Sequence, residues 1–288
     1  MPNPGRIRQL VTFVLCLGAA PPVQAQVTPD VTISVFSAAY QATATHDMVV
    51  VGAEVHGSGD RLEIRYAIIS GPSPVTERTI VVPLEDDAVR AKARREGVRV
   101  LTQLTLAPGR YQLRVTTSSL GSQATGTVVH DIEVPQLATA ALNMSGLALT
   151  SSSVGGHTHA EVEDDHRMLP ILGQPPTARR EFSQAEKVEV HAEFYEIQQP
   201  EFEFDQQINV ITRVRSASGD VVWELKENGT SEALSGGRFG YVHSMLIPVS
   251  TLPPGQYVVE VGAETLYGAP GYVSRFVPIR IISPRVTP

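Results

Sequence analysis

Cysteine is almost absent from the 288-residue chain, which contains one. This scarcity excludes a small fold that is held together by disulfides. Aromatic residues are also few, at 6% with a single tryptophan. The apolar runs are shorter than the ~20 residues that a membrane-spanning helix requires, so we expect no transmembrane segment. The remaining composition, with 42% hydrophobic and 18% charged residues, is typical of a globular protein and excludes collagen-like, coiled-coil and wholly disordered chains.

The first 25 residues have the layout of a secretory signal peptide. Arg6 and Arg8 precede an apolar run, LVTFVLCLGAA, and a small residue, Ala25, follows a short segment containing two prolines. This order of basic, apolar and small-residue regions predicts cleavage near Ala25. The single cysteine, Cys16, lies inside the apolar run, so the exported chain would contain none. We expect a periplasmic or secreted protein.

The net charge of −7 argues against a nucleic-acid-binding protein. Nucleic acids are bound mainly through basic side chains that neutralise phosphates, and this chain has an excess of acidic groups. We therefore expect a partner outside the cytoplasm that is not a nucleic acid.

An internal repeat predicts two similar domains. The segment LAPGRYQLRV over 106–115 returns as LPPGQYVVEV over 252–261, with the apolar and turn positions kept. Two copies of one unit indicate two domains of the same kind. We place a first domain at 26–137, a linker at 138–181 and a second domain at 182–288.

Alternating apolar and polar residues predict β-strands throughout both domains. The first domain contains seven such segments, near 31–36, 48–56, 61–69, 77–84, 98–106, 111–117 and 127–134. Seven short strands separated by turn residues are typical of a sandwich. The fold class predicted is all-β, with two immunoglobulin-like or fibronectin type III-like β-sandwiches. A short crossover helix is expected from Asp87 to Glu96, because an aspartate precedes it and Gly97 follows it.

Tyr111 and Tyr257, at equivalent positions of the repeat, are predicted to be structural. In Ig-like sandwiches a tyrosine after a Pro-Gly turn packs in the core while its hydroxyl bonds back to the backbone. Trp223 alternates with apolar neighbours and is predicted to pack in the second core.

Several segments together resemble a known group of exported proteins. These segments are DIEVP at 131–135, LNMSGLAL at 142–149, PTARREF at 176–182, HAEFY at 191–195 and the two Pro-Gly-x-Tyr corners. They are similar to the C-terminal β-sandwich region of the acidobacterial proteins related to von Willebrand factor A. The resemblance implies an exported β-sandwich protein. The Asp-x-Ser-x-Ser metal motif of the A domain is absent from this sequence, so the resemblance implies no metal ligand here.

One group of residues has the composition of a metal site. His157 and His159 alternate on an extended segment, and His166 follows after several acidic residues. His157 and His159, completed by His166 or by one of these carboxylates, are a ligand set that tetrahedral zinc accepts. The alternative is a solvated linker, which the neighbouring serines and glycines favour. His130 and His243 lie in strand patterns and are predicted to be packed histidines.

No sequence motif indicates catalysis. The nucleophile elbow, the zinc-protease helix, the phosphate loop and the dinucleotide fingerprint are all missing. We therefore predict a non-enzymatic module for protein interaction or scaffolding that needs no cofactor. The alternatives are a carbohydrate-binding sandwich and a metal-binding protein.

The predicted binding residues are four aromatic side chains. Phe202 and Phe204 alternate with acids, a pattern that fits an exposed strand edge and also fits a pair that completes the second core. Tyr267 and Tyr272 flank a Gly-Pro loop. Aromatic loops on sandwiches often carry recognition.

Overall fold

The structure is a computed structural model, and it describes residues 26–27, 31–42, 47–57, 59–84, 86–120, 124–137, 140–153, 157–161, 176–197, 206–234, 237–266 and 271–284. The predicted signal peptide at 1–25 lies outside these residues. The described part of the chain is mostly β with one helix, and its sheets form two β-sandwich-like regions. The predicted fold class is confirmed. No helix in this part is long and apolar enough to cross a membrane.

The first sandwich contains all seven strands predicted for it. Its elements are β1 (Gln26–Val27), β2 (Thr32–Gln41), β3 (Asp47–His56), β4 (Arg61–Ser70), β5 (Ser73–Pro83), α1 (Asp87–Glu96), β6 (Val98–Leu106), β7 (Gly109–Leu120) and β8 (Thr125–Val134). One sheet, sheet A, has the order β1-β8-β7-β4-β5. The facing sheet, sheet B, consists of β6, β3 and β2 in that order, joined at the β6 edge by a strand from later in the chain.

The remaining strands form the second sandwich, except β11. They are β9 (Leu142–Met144), β10 (Ala148–Ser151), β11 (His157–Glu161), β12 (Glu181–Ser183), β13 (Val188–Glu196), β14 (Gln207–Ser216), β15 (Val221–Thr230), β16 (Glu232–Leu234), β17 (Arg238–Ile247), β18 (Gly255–Thr265) and β19 (Tyr272–Ile282). Sheet C has the order β10-β13-β17-β16, with β9 also on β13, and sheet D has the order β12-β19-β18-β14-β15. Strand β11 is the exception, since it pairs in parallel with β6 of sheet B.

Alternation explains which side chains enter the cores. In β4 the residues Leu62, Ile64 and Ile68 are fully buried, while Arg65 between them is exposed. Strand β3, DMVVVGAEVH, is buried along nearly its whole length. A continuous apolar run is expected where both faces of a strand are covered, and β3 lies at the centre of sheet B between the first core and a second layer.

The helix ends where its flanking residues predict. The Asp86 side chain accepts a hydrogen bond from the Ala88 backbone N–H at 2.7 Å, which satisfies one of the free donors of the first turn. Gly97 follows with φ 81° and donates its backbone N–H to the Ala93 carbonyl. Glycine adopts this left-handed region at little cost.

The two tyrosine corners are confirmed. Tyr111 donates its hydroxyl to the Ala107 carbonyl at 2.8 Å, and Tyr257 donates to the Pro253 carbonyl at 2.7 Å. The two acceptors occupy the same position in the repeat. Trp223 packs against the second core, as predicted.

The segment assigned to a linker contributes strands to both sandwiches. Residues 142–151 form two short strands on β13, and β11 extends sheet B. A third cluster lies between the sandwiches; its buried members are Phe36, Ala38, Tyr40, Met48, Val50, Leu101, Ala148 and Ala178. Two buried ion pairs lie at the same interface, between Arg99 and Glu54 at 3.1 Å and between Arg238 and Glu193 at 2.6 Å.

Candidate functional site

Of the four predicted binding residues, the structure describes one. Phe202, Phe204 and Tyr267 lie outside the described residues. Tyr272 begins β19, and 53% of its surface is exposed. The four aromatic side chains are therefore not shown to form one site, and the candidate site is built here around Tyr272.

The outer face of sheet D carries a second exposed aromatic residue. Strand β19 alternates, so that Val277 and Ile279 enter the core while Tyr272 and Phe276 lie on the opposite side. Phe276 is 58% exposed, the largest value among the exposed large hydrophobic side chains described. Four residues along a strand span about 13 Å. We call this surface, with Tyr272, Phe276, Glu260, Arg213 and Arg215, the aromatic face.

A buried carboxylate anchors the polar part of the aromatic face. Glu260 is 4% exposed. Its two oxygens accept hydrogen bonds from Arg213 Nη1 at 3.3 Å and from Arg215 Nε at 2.8 Å. The Tyr272 hydroxyl donates to the same carboxylate at 3.3 Å. One acid thus fixes the positions of two guanidinium groups and one phenol, and a fixed side chain loses less conformational entropy on binding.

Arg213 also forms an ion pair with Glu224 on the neighbouring strand β15 of sheet D. Arg213 Nε donates to Glu224 Oε2 at 2.6 Å. This hydrogen bond raises the pKa of Arg213 and lowers the pKa of Glu224. Both groups are charged over the whole physiological pH range. The aromatic face therefore presents fixed charges rather than a group suited to proton transfer.

A glycine makes room for the tyrosine. A Cβ built on Gly262 would lie 3.0 Å from the Tyr272 hydroxyl oxygen and 2.9 Å from the Val273 carbonyl oxygen. These contacts are too short for a side chain, so the absence of one allows the phenol to lie close to the sheet. The result is a flat surface with two rings beside paired charges.

The predicted metal ligands are only partly described. His157 and His159 lie on β11, where their backbones pair with Val98 and Val100. His166 lies outside the described residues. Among the residues that the structure describes, no group of three or more His, Cys, Asp or Glu side chains is placed to hold a metal ion. The metal site stays a prediction.

A buried hydrogen-bonded triad crosses the second core. His243 Nε2 lies 2.9 Å from Thr212 Oγ1, and His243 Nδ1 lies 2.7 Å from Glu227 Oε1. This order of hydroxyl, imidazole and carboxylate is that of a hydrolytic triad. Here Thr212 is 1% exposed and His243 is not exposed at all, so the hydroxyl is closed to a substrate. The triad instead satisfies polar groups between the two sheets.

Two further histidines, His130 and His191, also lie within hydrogen-bonding distance of a hydroxyl group. His130 lies 3.0 Å from Ser37 Oγ, and burial lowers its pKa. His191, 4% exposed, lies 3.3 Å from Thr150 Oγ1, and burial lowers its pKa to about 4. His243 is packed as predicted, whereas His130 is partly buried.

Sequence reasoning missed Phe276, Arg213, Arg215 and Glu260. For Phe276 a signal was present, because it falls in the outward phase of a strand whose inward phase contains Val277 and Ile279. An aromatic residue in the polar phase indicates a surface position that alternation does not explain. Arg213 and Arg215 lie more than 40 residues before Glu260 in the sequence, and only the pairing of β14 with β18 in sheet D brings them together.

Comparisons with known proteins identify no family. No family model matches the chain, and no curated protein matches it. The resemblance to the von Willebrand factor A-related proteins therefore stays a prediction.

Distant similarity to solved structures is illustrated by two of them. The first is a tetra-tandem repeat in the extending region of a large adhesion protein, with 11% identity, a TM-score of 0.22 and coverage of 86% of this chain and 50% of that one. The second is a calcium-binding mutant of Bacteroides uniformis beta-glucuronidase 2, with 10% identity, a TM-score of 0.27 and coverage of 89% and 33%. The chain spans half the length of the first structure and a third of the second. Similarity this low carries no argument about function.

Proposed function

We propose that the chain is a non-enzymatic binding module that acts outside the cytoplasm and contacts a protein partner through the aromatic face. The observation that carries the proposal is the pair of exposed rings, Tyr272 and Phe276, beside a carboxylate that holds two arginines. The predicted signal peptide supports the location. The predicted absence of catalysis is consistent with a surface of fixed charges.

The chemistry of the aromatic face favours a protein partner. Tyr, Phe and Arg are enriched in the buried centres of protein interfaces, where a few such residues supply most of the binding energy. Single exposed apolar side chains are common. In this protein two rings lie on one face, and Glu260 already orients the neighbouring arginines and Tyr272. These side chains therefore lose less conformational entropy when a partner binds.

A pull-down with matched variants tests the proposal. The bait is the exported protein, crosslinked in its native envelope. The test variant is Tyr272→Ala/Phe276→Ala. The control is Val75→Ala/Val81→Ala, which removes two exposed side chains from β5 of the first sandwich. We expect a partner that the wild type and the control recover and the test variant loses.

Direct affinity measurement with the purified partner then decides the question. Loss of two central aromatic contacts is expected to weaken binding by at least about tenfold, since each costs ~1 kcal/mol or more. Equal affinity for the test variant and the wild type would contradict the proposal. Both variants change exposed side chains, so equal melting temperatures are the check that folding is intact.

A carbohydrate ligand is the second candidate. The observation that favours it is the close approach of Tyr272 to Gly262, which makes a flat aromatic platform on the sheet. Sugar rings stack on such platforms. Binding of a purified glycan by the wild type, with loss in Tyr272→Ala, would support this candidate over a protein partner.

A further inference from the structure

Long sheet edges are the next feature of the molecule that needs an explanation. An edge strand presents unpaired backbone donors and acceptors and is a template for another strand. Within the described residues, three strands of ten or more residues end a sheet, namely β2, β5 and β15. The remaining described edge strands, including β1, β11, β12 and β16, are five residues or shorter.

The edge at β2 is covered by the second sandwich. Gly146 N–H donates to the Ala39 carbonyl at 2.8 Å. Arg238 donates to the Gln41 carbonyl at 3.0 Å, and the Gln41 N–H donates to the Tyr195 hydroxyl at 3.0 Å. The backbone groups at the Ala39–Gln41 end of this edge are therefore bonded within the chain.

The edge at β5 is protected by its sequence. It contains Pro74 and Pro83, which have no N–H to donate, and the charged residues Glu77 and Arg78 between them. Prolines and charges are the usual means by which natural sheets prevent a further strand from adding.

Strand β15 has neither the covering contacts of β2 nor the prolines of β5 within the described residues. It contains no proline, and β14 is its only strand partner among the described residues. Its exposed apolar residues are Val221 at 46%, Val222 at 47% and Leu225 at 40%. A ten-residue edge strand with three exposed apolar side chains is where we expect another strand to pair.

The charges of β15 identify the partner. Glu224 and Lys226 flank Leu225. In an antiparallel pair of two β15 strands centred on Leu225, Glu224 of each copy lies opposite Lys226 of the other. Directly opposite residues of opposite charge stabilise a strand pair, and like charges destabilise it.

Three registers place the two-fold axis near the middle of β15, at Glu224, at Leu225 or at Lys226. Only the register centred on Leu225 brings opposite charges together. Centring on Glu224 would place that acid opposite itself, and centring on Lys226 would do the same for the lysine. Centring on Leu225 pairs residues 223–227 with each other, in the part of β15 that follows the irregularity at Val222. We propose that β15 is a self-association edge through which two copies of this chain pair as antiparallel strands, with the two-fold axis at Leu225.

In the single chain, Lys226 Nζ lies 3.2 Å from Glu224 Oε1 of its own strand. The lysine side chain is 62% exposed, so it is free to turn to a neighbouring copy. A lysine on an edge usually prevents pairing. In β15, Lys226 favours one register, because any register without an acid opposite the lysine would leave the lysine charge unpaired.

Charge variants test the register. Sedimentation of the purified full chain from micromolar to near-millimolar concentration measures the dimer constant. Glu224→Lys places like charges opposite each other twice in the dimer and is expected to weaken self-association by about tenfold or more. The double exchange Glu224→Lys/Lys226→Glu restores opposite charges across the interface. We expect it to recover most of the lost dimer affinity.

A crosslink gives an independent measurement. With Cys16→Ser in the background, Leu225→Cys provides one thiol at the proposed axis. Opposite residues of antiparallel strands have Cα atoms about 4.5–5.5 Å apart, within the range that a disulfide spans. We expect rapid formation of a disulfide-linked dimer, and Val81→Cys on β5 is the control that stays monomeric under the same oxidation.

Three results would overturn the inference. These are a monomer throughout the concentration range, a dimer that the charge variants leave unchanged, and equal crosslinking at Leu225 and Val81. The inference is independent of the aromatic face, since Tyr272→Ala/Phe276→Ala is expected to leave the dimer constant within about twofold of the wild type.

Discussion

Acid sensitivity of the second sandwich can be worked out from one buried histidine. His191 is 4% exposed. Its Nε2 atom lies 3.3 Å from Thr150 Oγ1 and 3.6 Å from Glu189 Oε2. Its Nδ1 atom is buried without a hydrogen-bond partner among the described residues. Burial first, and the neighbouring His243 second, lower its pKa from 6.5 to about 4.

The sign follows from proton binding in the two states. The unfolded chain binds a proton near pH 6.5, whereas the folded chain resists it until about pH 4. Stability contributed by the neutral imidazole is therefore complete above pH 6.5, falls as pH decreases, and is lost below pH 4. A difference of about 2.5 in pKa corresponds to about 3 kcal/mol in total, and to about 2 kcal/mol at pH 5.

Urea unfolding of the wild type and His191→Gln at pH 7.5 and pH 5 measures this contribution. The glutamine keeps a polar group for Thr150 but does not titrate. We expect the loss of unfolding free energy between the two pH values to be about 2 kcal/mol smaller in His191→Gln. Thr150→Val is the control, because it removes the hydrogen bond but keeps the imidazole and the pH dependence. An identical pH dependence for His191→Gln and the wild type would refute the reasoning.

Two further substitutions test the fold. Arg99→Met leaves the Glu54 carboxylate buried without its cation and is expected to cost about 3 kcal/mol of unfolding free energy; a loss below about 1 kcal/mol in urea unfolding would contradict this. Tyr257→Phe removes the hydrogen bond to Pro253 and is expected to cost about 1 kcal/mol. An unchanged melting temperature in Tyr257→Phe would show that the corner hydrogen bond has no special value.

Local patterns were sufficient to predict the seven longer strands of the first sandwich and the helix, but not the short strands β9, β10 and β11 in the segment assigned to a linker. Strand β4 alternates without interruption, and α1 has Asp86 before it and Gly97 after it. Such features depend on residues a few positions apart. The apolar period of a strand and the capping residues of a helix are therefore enough to predict them. The tyrosine corners were predictable for the same reason, since the acceptor lies four residues before the tyrosine.

Pairing between distant segments was not predictable. Nothing in the sequence indicated that β11 would join β6 in parallel, or that Glu54 would accept hydrogen bonds from Thr177 and Ala178. These contacts depend on how sheets stack, which alternation does not encode. The same limit applies to the aromatic face, where Tyr272 was predicted but its partner Glu260 was not.

The interface between the sandwiches determines which surfaces are left for binding. A Cβ on Gly146 would lie 2.7 Å from the Ala38 Cα, so the two backbones touch there. Part of the outer side of sheets B and C is covered by this contact, and the outer faces of sheets A and D remain outside it.

Residues that lie opposite each other in an antiparallel pair point to the same side of the sheet. Pairing of two β15 strands would therefore join two copies of sheet D with both aromatic faces on one side. A partner bound to one aromatic face would then meet the second aromatic face at a raised effective concentration. A partner with two sites would bind the dimer more tightly than the monomer without any new contact. Disruption of the edge by Lys226→Glu, which places like charges opposite each other but keeps the Arg213–Glu224 pair, is then expected to weaken capture of a two-site partner more than capture of a one-site partner.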